Sequence, residues 1–211
     1  GKSEGGLYGD VIEEIDFHTG RLLTHLAPLG VDENTLVIFS SDTGPWLLKR
    51  DHAGSALPLF EGKATHFEGG HRVPGIIKRP GKVQAGSVNS EVVSTMDLLP
   101  TIAHIAGAEL PAGKKLDGKN IIDIITGQEG AKSPYEYFFF GKLAVRWGDW
   151  KYHSQERYRV APKERRTKEP TLYNLKEDIG ESRNVIDEYP EVAARLAKVL
   201  AEENPNVKRK K

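Results

Sequence analysis

The 211 residues hold 30 Lys and Arg against 30 Asp and Glu, so no basic excess argues for nucleic acid and no acidic tail stands out. The length suits one full domain, or a domain with a small appendage. No apolar run approaches a membrane span, the start carries no charged-then-apolar signal segment, and the absence of cysteine excludes disulfide and thiolate chemistry within these residues.

Gly1 to Gly6 is polar and loop-like with no initiator Met, and reads as the beginning of a fragment. Leu7, Val11, Ile12, Ile15, Leu22, Leu23 and Leu26 then recur at steps that describe one helical stripe. Asp10, Glu13 and Glu14 lie early and Arg21 and His25 late, the order a helix dipole prefers. Pro28 and Gly30 end the helix, and its expected task is packing against a sheet. Asp16 and His18 carry no motif and read as solvent-facing.

Leu36 to Phe39 is a short apolar run rich in β-branched residues that stops at Ser40 and Ser41. The pattern predicts a strand buried on both faces, as in a parallel sheet covered by helices. In open α/β sheets ligands bind beyond the carboxyl ends of strands, and Asp42 stands at such an end. Its carboxylate is a natural hard-oxygen ligand for Ca²⁺ or Mg²⁺. The loop from Gly44 to Lys63 is long for a plain connection, which points to function, and its Trp46, Leu47, Leu48, Leu57, Leu59 and Phe60 argue against disorder. At its centre, Asp51, His52 and Gly54 fit either a side-chain-bonded turn or a substrate-facing histidine. Lys63 follows Gly62, where the backbone approaches an anion closely and an ammonium neutralises it. His66 and His71 are separated by two glycines and lack the spacing of a helical zinc pair. Arg72 can meet an anion or pair with Glu68.

Val73 to Lys78 reads as a second buried strand, and Ser87 to Val93 as a short third one. Thr95 is the expected N-cap of a helix from Met96 to Ala106, stopped by Gly107, and a short helix from Asn120 to Thr126 ends at Gly127. Beyond Gly127 the texture changes to aromatic-rich runs at Tyr135–Phe140, Leu143–Trp147, Asp149–His153 and Thr171–Leu175, an antiparallel meander. Arg157, Arg159, Lys163, Arg165, Arg166 and Lys168 form a basic stretch that reads as a solvated loop, or as a rim attracting a polyanion. Pro190 opens an amphipathic helix with Val192, Leu196, Val199 and Leu200 as its buried stripe, and the tail from Val207 to Lys211 reads as frayed.

Ser41-Asp42-Thr43-Gly44-Pro45, Asp51-His-Ala-Gly-Ser55, Gly62-Lys63 and Glu68-Gly-Gly-His-Arg72-Val-Pro74 together resemble the second half of a type I sulfatase, in the arylsulfatase A and N-acetylgalactosamine-6-sulfatase branch. The Met-Asp-Leu-Leu-Pro-Thr run from Met96, Leu172 to Leu175, and Asp178 to Asn184 extend the likeness over nearly the whole chain. The resemblance implies an α/β alkaline phosphatase-like sandwich, with helices on a mainly parallel sheet, followed by a small antiparallel C-terminal sheet with a packed helix. It places the catalytic part at residues 1–128 and the subdomain at 129–211.

It further implies that Asp42, with Thr43 where the family usually has Asn, completes a site for one Ca²⁺ ion. Lys63 becomes the sulfate-binding catalytic lysine, with His52, His71 and Arg72 on the substrate side. Asp97 gains no catalytic role. The family's formylglycine nucleophile, its other metal ligands and its leaving-group histidine have no counterpart here, so the resemblance implies a missing N-terminal half and an inactive isolated chain. The expected substrate is a sulfated sugar or small-molecule sulfate ester, in a periplasmic, secreted or lysosomal setting. Two other readings stay open: a phosphoesterase of the alkaline phosphatase superfamily, and a non-catalytic carbohydrate-binding or scaffolding remnant.

Overall fold

The computed structural model describes residues 1–205; the tail expected to fray at Val207–Lys211 lies outside the described residues. Helix α1 (Gly6–Leu26) forms where the apolar stripe predicts it, and strands β1 (Val37–Ser40) and β2 (Gly75–Lys78) pair as a two-stranded sheet. The packing expected of them is not what the structure has. No residue of α1 is buried, with Leu7 65% and Leu22 69% exposed, and Phe39 on β1 is 42% exposed. An apolar stripe records which face a helix would bury and not what covers it; among the described residues only Leu23 and Leu26 of this one are partly covered.

The chain divides into two compact units: residues 1–21, 40–75 and 137–211 form one, and residues 22–39 and 76–136 the other. They interleave along the sequence. In the second unit, the Ser87–Val93 segment forms no strand. Side chains take its backbone bonds instead, with Asn89 Oδ1 accepting from Glu91 N and the Glu91 carboxylate accepting from Ser133 N. Helix α3 (Leu98–Ala106) is entered through a 3₁₀ turn at Thr95–Asp97, and the cap is Ser94 rather than Thr95. Ser94 Oγ accepts from Met96 N while Asp97 Oδ2 accepts from Ser94 N at 2.7 Å, a reciprocal capping box. Asp97 is fully buried and also accepts from Lys119 N and the Tyr135 hydroxyl, which gives it a structural task. Helix α4 (Ile122–Thr126) ends at Gly127, whose φ of 71° suits a residue without a β-carbon.

In the first unit the C-terminal meander forms as its alternation predicts. Strands β3 (Phe138–Phe140), β4 (Ala144–Trp147), β5 (Trp150–His153) and β6 (Thr171–Asn174) make an antiparallel sheet in that order. Tyr152 on β5 sits opposite Val145 and Leu172, and this face carries the main core. Helix α5 (Pro190–Glu202) covers it with Ala193, Leu196, Val199 and Leu200. Each of the three larger side chains contributes about 1.5–3 kcal/mol of gross transfer free energy. The two-residue period of a strand sends Lys151 and His153 to the other face. That face is buried too, under the segment that carries Lys63.

Candidate active site

The first unit brings two turns together through glycines that tolerate no side chain. Gly44 N donates to Gly70 O at 3.2 Å, and a β-carbon on Gly44 would stand 1.7 Å from Gly69 O. Lys63 N donates to Pro45 O at 2.9 Å, and a β-carbon on Gly62 would meet that same oxygen at 2.4 Å. The Ser41–Pro45 turn is thereby laid directly on the Gly62–Lys63 turn and on helix α2 (Glu68–His71). Lys63 Nζ consequently stands 3.6 Å from Asp42 Oδ2, with the two side chains 41% and 83% exposed. A pair that open to water contributes at most about 1 kcal/mol to stability, so either partner is at liberty to exchange the other for a ligand.

Lys63 departs from an unusual stretch of backbone. Glu61 and Ala64 on either side of the Gly62–Lys63 pair have φ of 59° and 69°, a left-handed conformation that non-glycine residues seldom adopt. Such strain persists only where surrounding structure over-determines it, and it concentrates at functional sites. Here the Glu61 carboxylate accepts backbone N–H groups from Arg159, Val160 and Ala161 at 2.8–3.1 Å. At the far end, Phe67 is fully buried against Phe60, Tyr158 and His153.

Beneath α2 lies a buried cluster of charge. Lys151 Nζ sits 2.8 Å from Glu68 Oε1 and 3.2 Å from Glu181 Oε1, all three groups being at most 3% exposed. Glu181 Oε2 accepts from Glu68 N at 2.6 Å, His153 Nε2 lies 3.1 Å from Glu181 Oε1, and Arg146 approaches Glu68 at 3.6 Å. Burial by itself would push the Glu181 carboxyl up, but Lys151, His153 and the Glu68 N–H outweigh it and hold it below its ordinary value. Burial, helped by Lys151, keeps His153 below the usual imidazole range against the pull of Glu181. None of these residues was singled out from sequence beyond Glu68. Lys151 is one lysine in an aromatic strand, and its partners are distant in sequence, so no local pattern marks it.

Of the site residues expected from sequence, Asp42, Thr43 and Lys63 come together. Thr43 Oγ1 donates to Gly44 O at 3.0 Å, which leaves its lone pairs available. His71 stacks on His66, ring centroids 5.8 Å apart, and meets the edge of Phe140. Arg72 lies 3.9 Å from Glu68 Oε2 with its side chain half exposed. His52 ends an exposed 3₁₀ turn (Leu47–His52) and joins none of these contacts. The basic stretch is more than a solvated loop: Arg165 lies 3.5 Å over the Phe60 ring and donates to Glu181 O, while Arg166 donates to Ala161 O.

His66 gives a test of these surroundings. Burial first, then the nearby His71, His153, Arg157 and Lys151, lower its pKa from 6.5 to about 4, and its Nδ1 is buried without a hydrogen-bond partner. An imidazole held down in the folded state contributes stability above its unfolded pKa, and loses it as acid protonates the unfolded chain preferentially. Between pH 6.5 and about 4 the melting temperature is therefore expected to fall, and His66→Gln to reduce that slope. Equal slopes for the two proteins in thermal melts across this range would contradict the burial described.

Comparison with known proteins finds likeness over most of the chain. The family model described as Sulfatase matches residues 4–108, and the one described as N-sulphoglucosamine sulphohydrolase, C-terminal, matches residues 59–206. Arylsulfatase A of Bos taurus is 36% identical over 214 residues, covering 92% of this chain and 41% of that protein. N-acetylgalactosamine-6-sulfatase of Canis lupus familiaris is 34% identical over 204 residues, covering 86% of this chain and 39% of that protein. The crystal structure of the PsFucS1 sulfatase from Pseudoalteromonas sp. superposes with a TM-score of 0.77 at 28% identity, covering 93% of this chain and 43% of that one. The chain thus spans less than half the length of each of these proteins. Among the described residues no helix is long and apolar enough to cross a membrane.

Proposed function

Because the chain belongs to the sulfatase family, with its alkaline phosphatase-like α/β fold, we propose that it forms part of an enzyme hydrolysing sulfate esters. The observation that carries this reading is the meeting of Lys63 with Asp42 at 3.6 Å on a glycine-locked pair of turns. An ammonium and a carboxylate side by side, both open to a ligand, suit the two sides of a bound metal–sulfate pair. Lys63 takes a sulfate oxygen and offsets charge there as the ester bond breaks. Asp42, with Thr43 beside it, takes the cation.

The donor set fits that ion in kind. A carboxylate and a hydroxyl are the hard oxygens that Ca²⁺ prefers. Two oxygens fall short of the six to eight that Ca²⁺ takes, and among the described residues no cluster of three His, Cys, Asp or Glu is placed to hold a metal. The remaining ligands then come from outside these residues, as does the formylglycine nucleophile. When bound, the cation polarises the sulfate oxygens and the formylglycine supplies the attacking oxygen; Lys63 and Asp42 fix where the sulfate stands. The relatives are named for aryl and N-acetylgalactosamine 6-sulfates, and an aryl or sugar sulfate is the substrate class proposed here. An exported or lysosomal setting accompanies that reading.

Asp42 provides the test. In the full-length protein, Asp42→Ala is expected to weaken Ca²⁺ binding in calorimetry and to lower turnover of a chromogenic aryl sulfate in parallel, because the site loses its anionic oxygen. Thr43→Ala is expected to cost less. Wild-type Ca²⁺ affinity in Asp42→Ala would remove Asp42 from the metal site and with it the proposed function.

A further inference from the structure

We infer that Glu61, Glu68, Lys151 and Glu181 are positioning residues for Lys63, clamping both ends of the Glu61–Glu68 segment to the C-terminal sheet. The inference rests on the reading of Lys63 as the sulfate-binding lysine.

A lysine ammonium stands where its backbone puts it, and this backbone is soft and strained at once. Glycine at 62 removes a steric brake, while the left-handed Glu61 and Ala64 lie in a conformation that relaxes unless held. Two independent clamps hold it. Upstream, three backbone N–H groups of residues 159–161 grip the Glu61 carboxylate, itself only 3% exposed. Downstream, Lys151 bridges Glu68 and Glu181, and Glu181 in turn fixes the backbone N–H of Glu68. The anchors all come from the C-terminal sheet and its loops.

Packing alone does not call for such a cluster. A buried ion pair is commonly no more stabilising than an apolar replacement of similar volume, whereas it admits only one geometry. Lys151 reaches both Glu68 and Glu181, and Arg146 and Arg72 lie 3.6 and 3.9 Å from Glu68, so both carboxylates have cationic partners within the protein itself. The cluster therefore serves to place the segment above it. A misplacement of about 1 Å at a reacting group costs up to roughly 10²-fold in rate.

The test is a kinetic cycle in the full-length protein with a chromogenic aryl sulfate. Its corners are the wild type, Lys63→Ala, the paired variant Lys151→Met with Glu181→Gln, and all three substitutions together. The paired variant removes one charge of each sign, so it leaves no unbalanced buried charge. It is expected to lower kcat about tenfold or more in the wild-type background, and less than about twofold where Lys63 is already Ala. An equal loss in both backgrounds, or no loss in either, would overturn the positioning role while leaving the function of Lys63 intact. Wild-type turnover in Lys63→Ala would instead overturn the reading of Lys63, and the inference with it. Should the paired variant fail to fold, Glu61→Gln takes its place in the cycle, since it keeps an oxygen for the three N–H groups but gives up the charge. The same two patterns of kcat then decide.

Discussion

Lys63→Ala in the full-length protein is expected to lower kcat for an aryl sulfate by about 10²–10³, the usual loss when a preorganised contact to developing charge is removed. Its melting temperature should hardly move. The side chain is 41% exposed and its only ion pair among the described residues, to Asp42, is open to water, a combination worth at most about 1 kcal/mol. Lys63→Arg should restore part of the rate, because a planar guanidinium does not reproduce a compact ammonium. Lys78 serves as the control. It pairs with Asp32 at 2.6 Å on β2, away from any role proposed here, and Lys78→Ala should keep turnover near wild type. If Lys63→Ala retained wild-type kcat and KM, the lysine would be incidental to the chemistry.

Lys151→Met alone is expected to produce the largest loss of stability. Lys151 is fully buried between Glu68 and Glu181, and its removal strands two buried carboxylates with Arg146 as the nearest remaining cation. Breaking one side of a buried ion cluster typically costs about 3–5 kcal/mol. For a chain of this size that is a fall in melting temperature of roughly 6–20 °C. Adding Glu181→Gln removes the stranded charge and should recover most of the loss. A single variant melting within a degree or two of wild type would mean that the cluster is not buried as described.

The contrast between these two lysines explains what was legible in the sequence. Lys63 follows Gly62 in the long loop beyond the strand end that carries Asp42, so local pattern and family likeness both reach it. Lys151 does not stand out, because its partners Glu68 and Glu181 are joined to it only through the fold; the Lys151–Glu68 bond alone spans 83 positions. The meander from β3 to β6 and the α5 stripe were legible because alternation and helical period depend on near neighbours. Helix α1 shows the limit of the same signal. Its stripe gave the helix correctly, while the cover for Leu7, Val11 and Leu22 is not a property of the helix's own sequence. The Ser87–Val93 segment failed for a related reason: Asn89 and Glu91 offer their side chains to the backbone, and local bonds of that kind compete with a strand ladder.

A crystal structure of the full-length protein with Ca²⁺ and inorganic sulfate tests the central assignment most directly. The account predicts Asp42 on the Ca²⁺ ion and Lys63 Nζ within hydrogen-bonding distance, about 3 Å, of a sulfate oxygen. It would be contradicted by sulfate bound elsewhere, with Lys63 still resting on Asp42 and no cation between them.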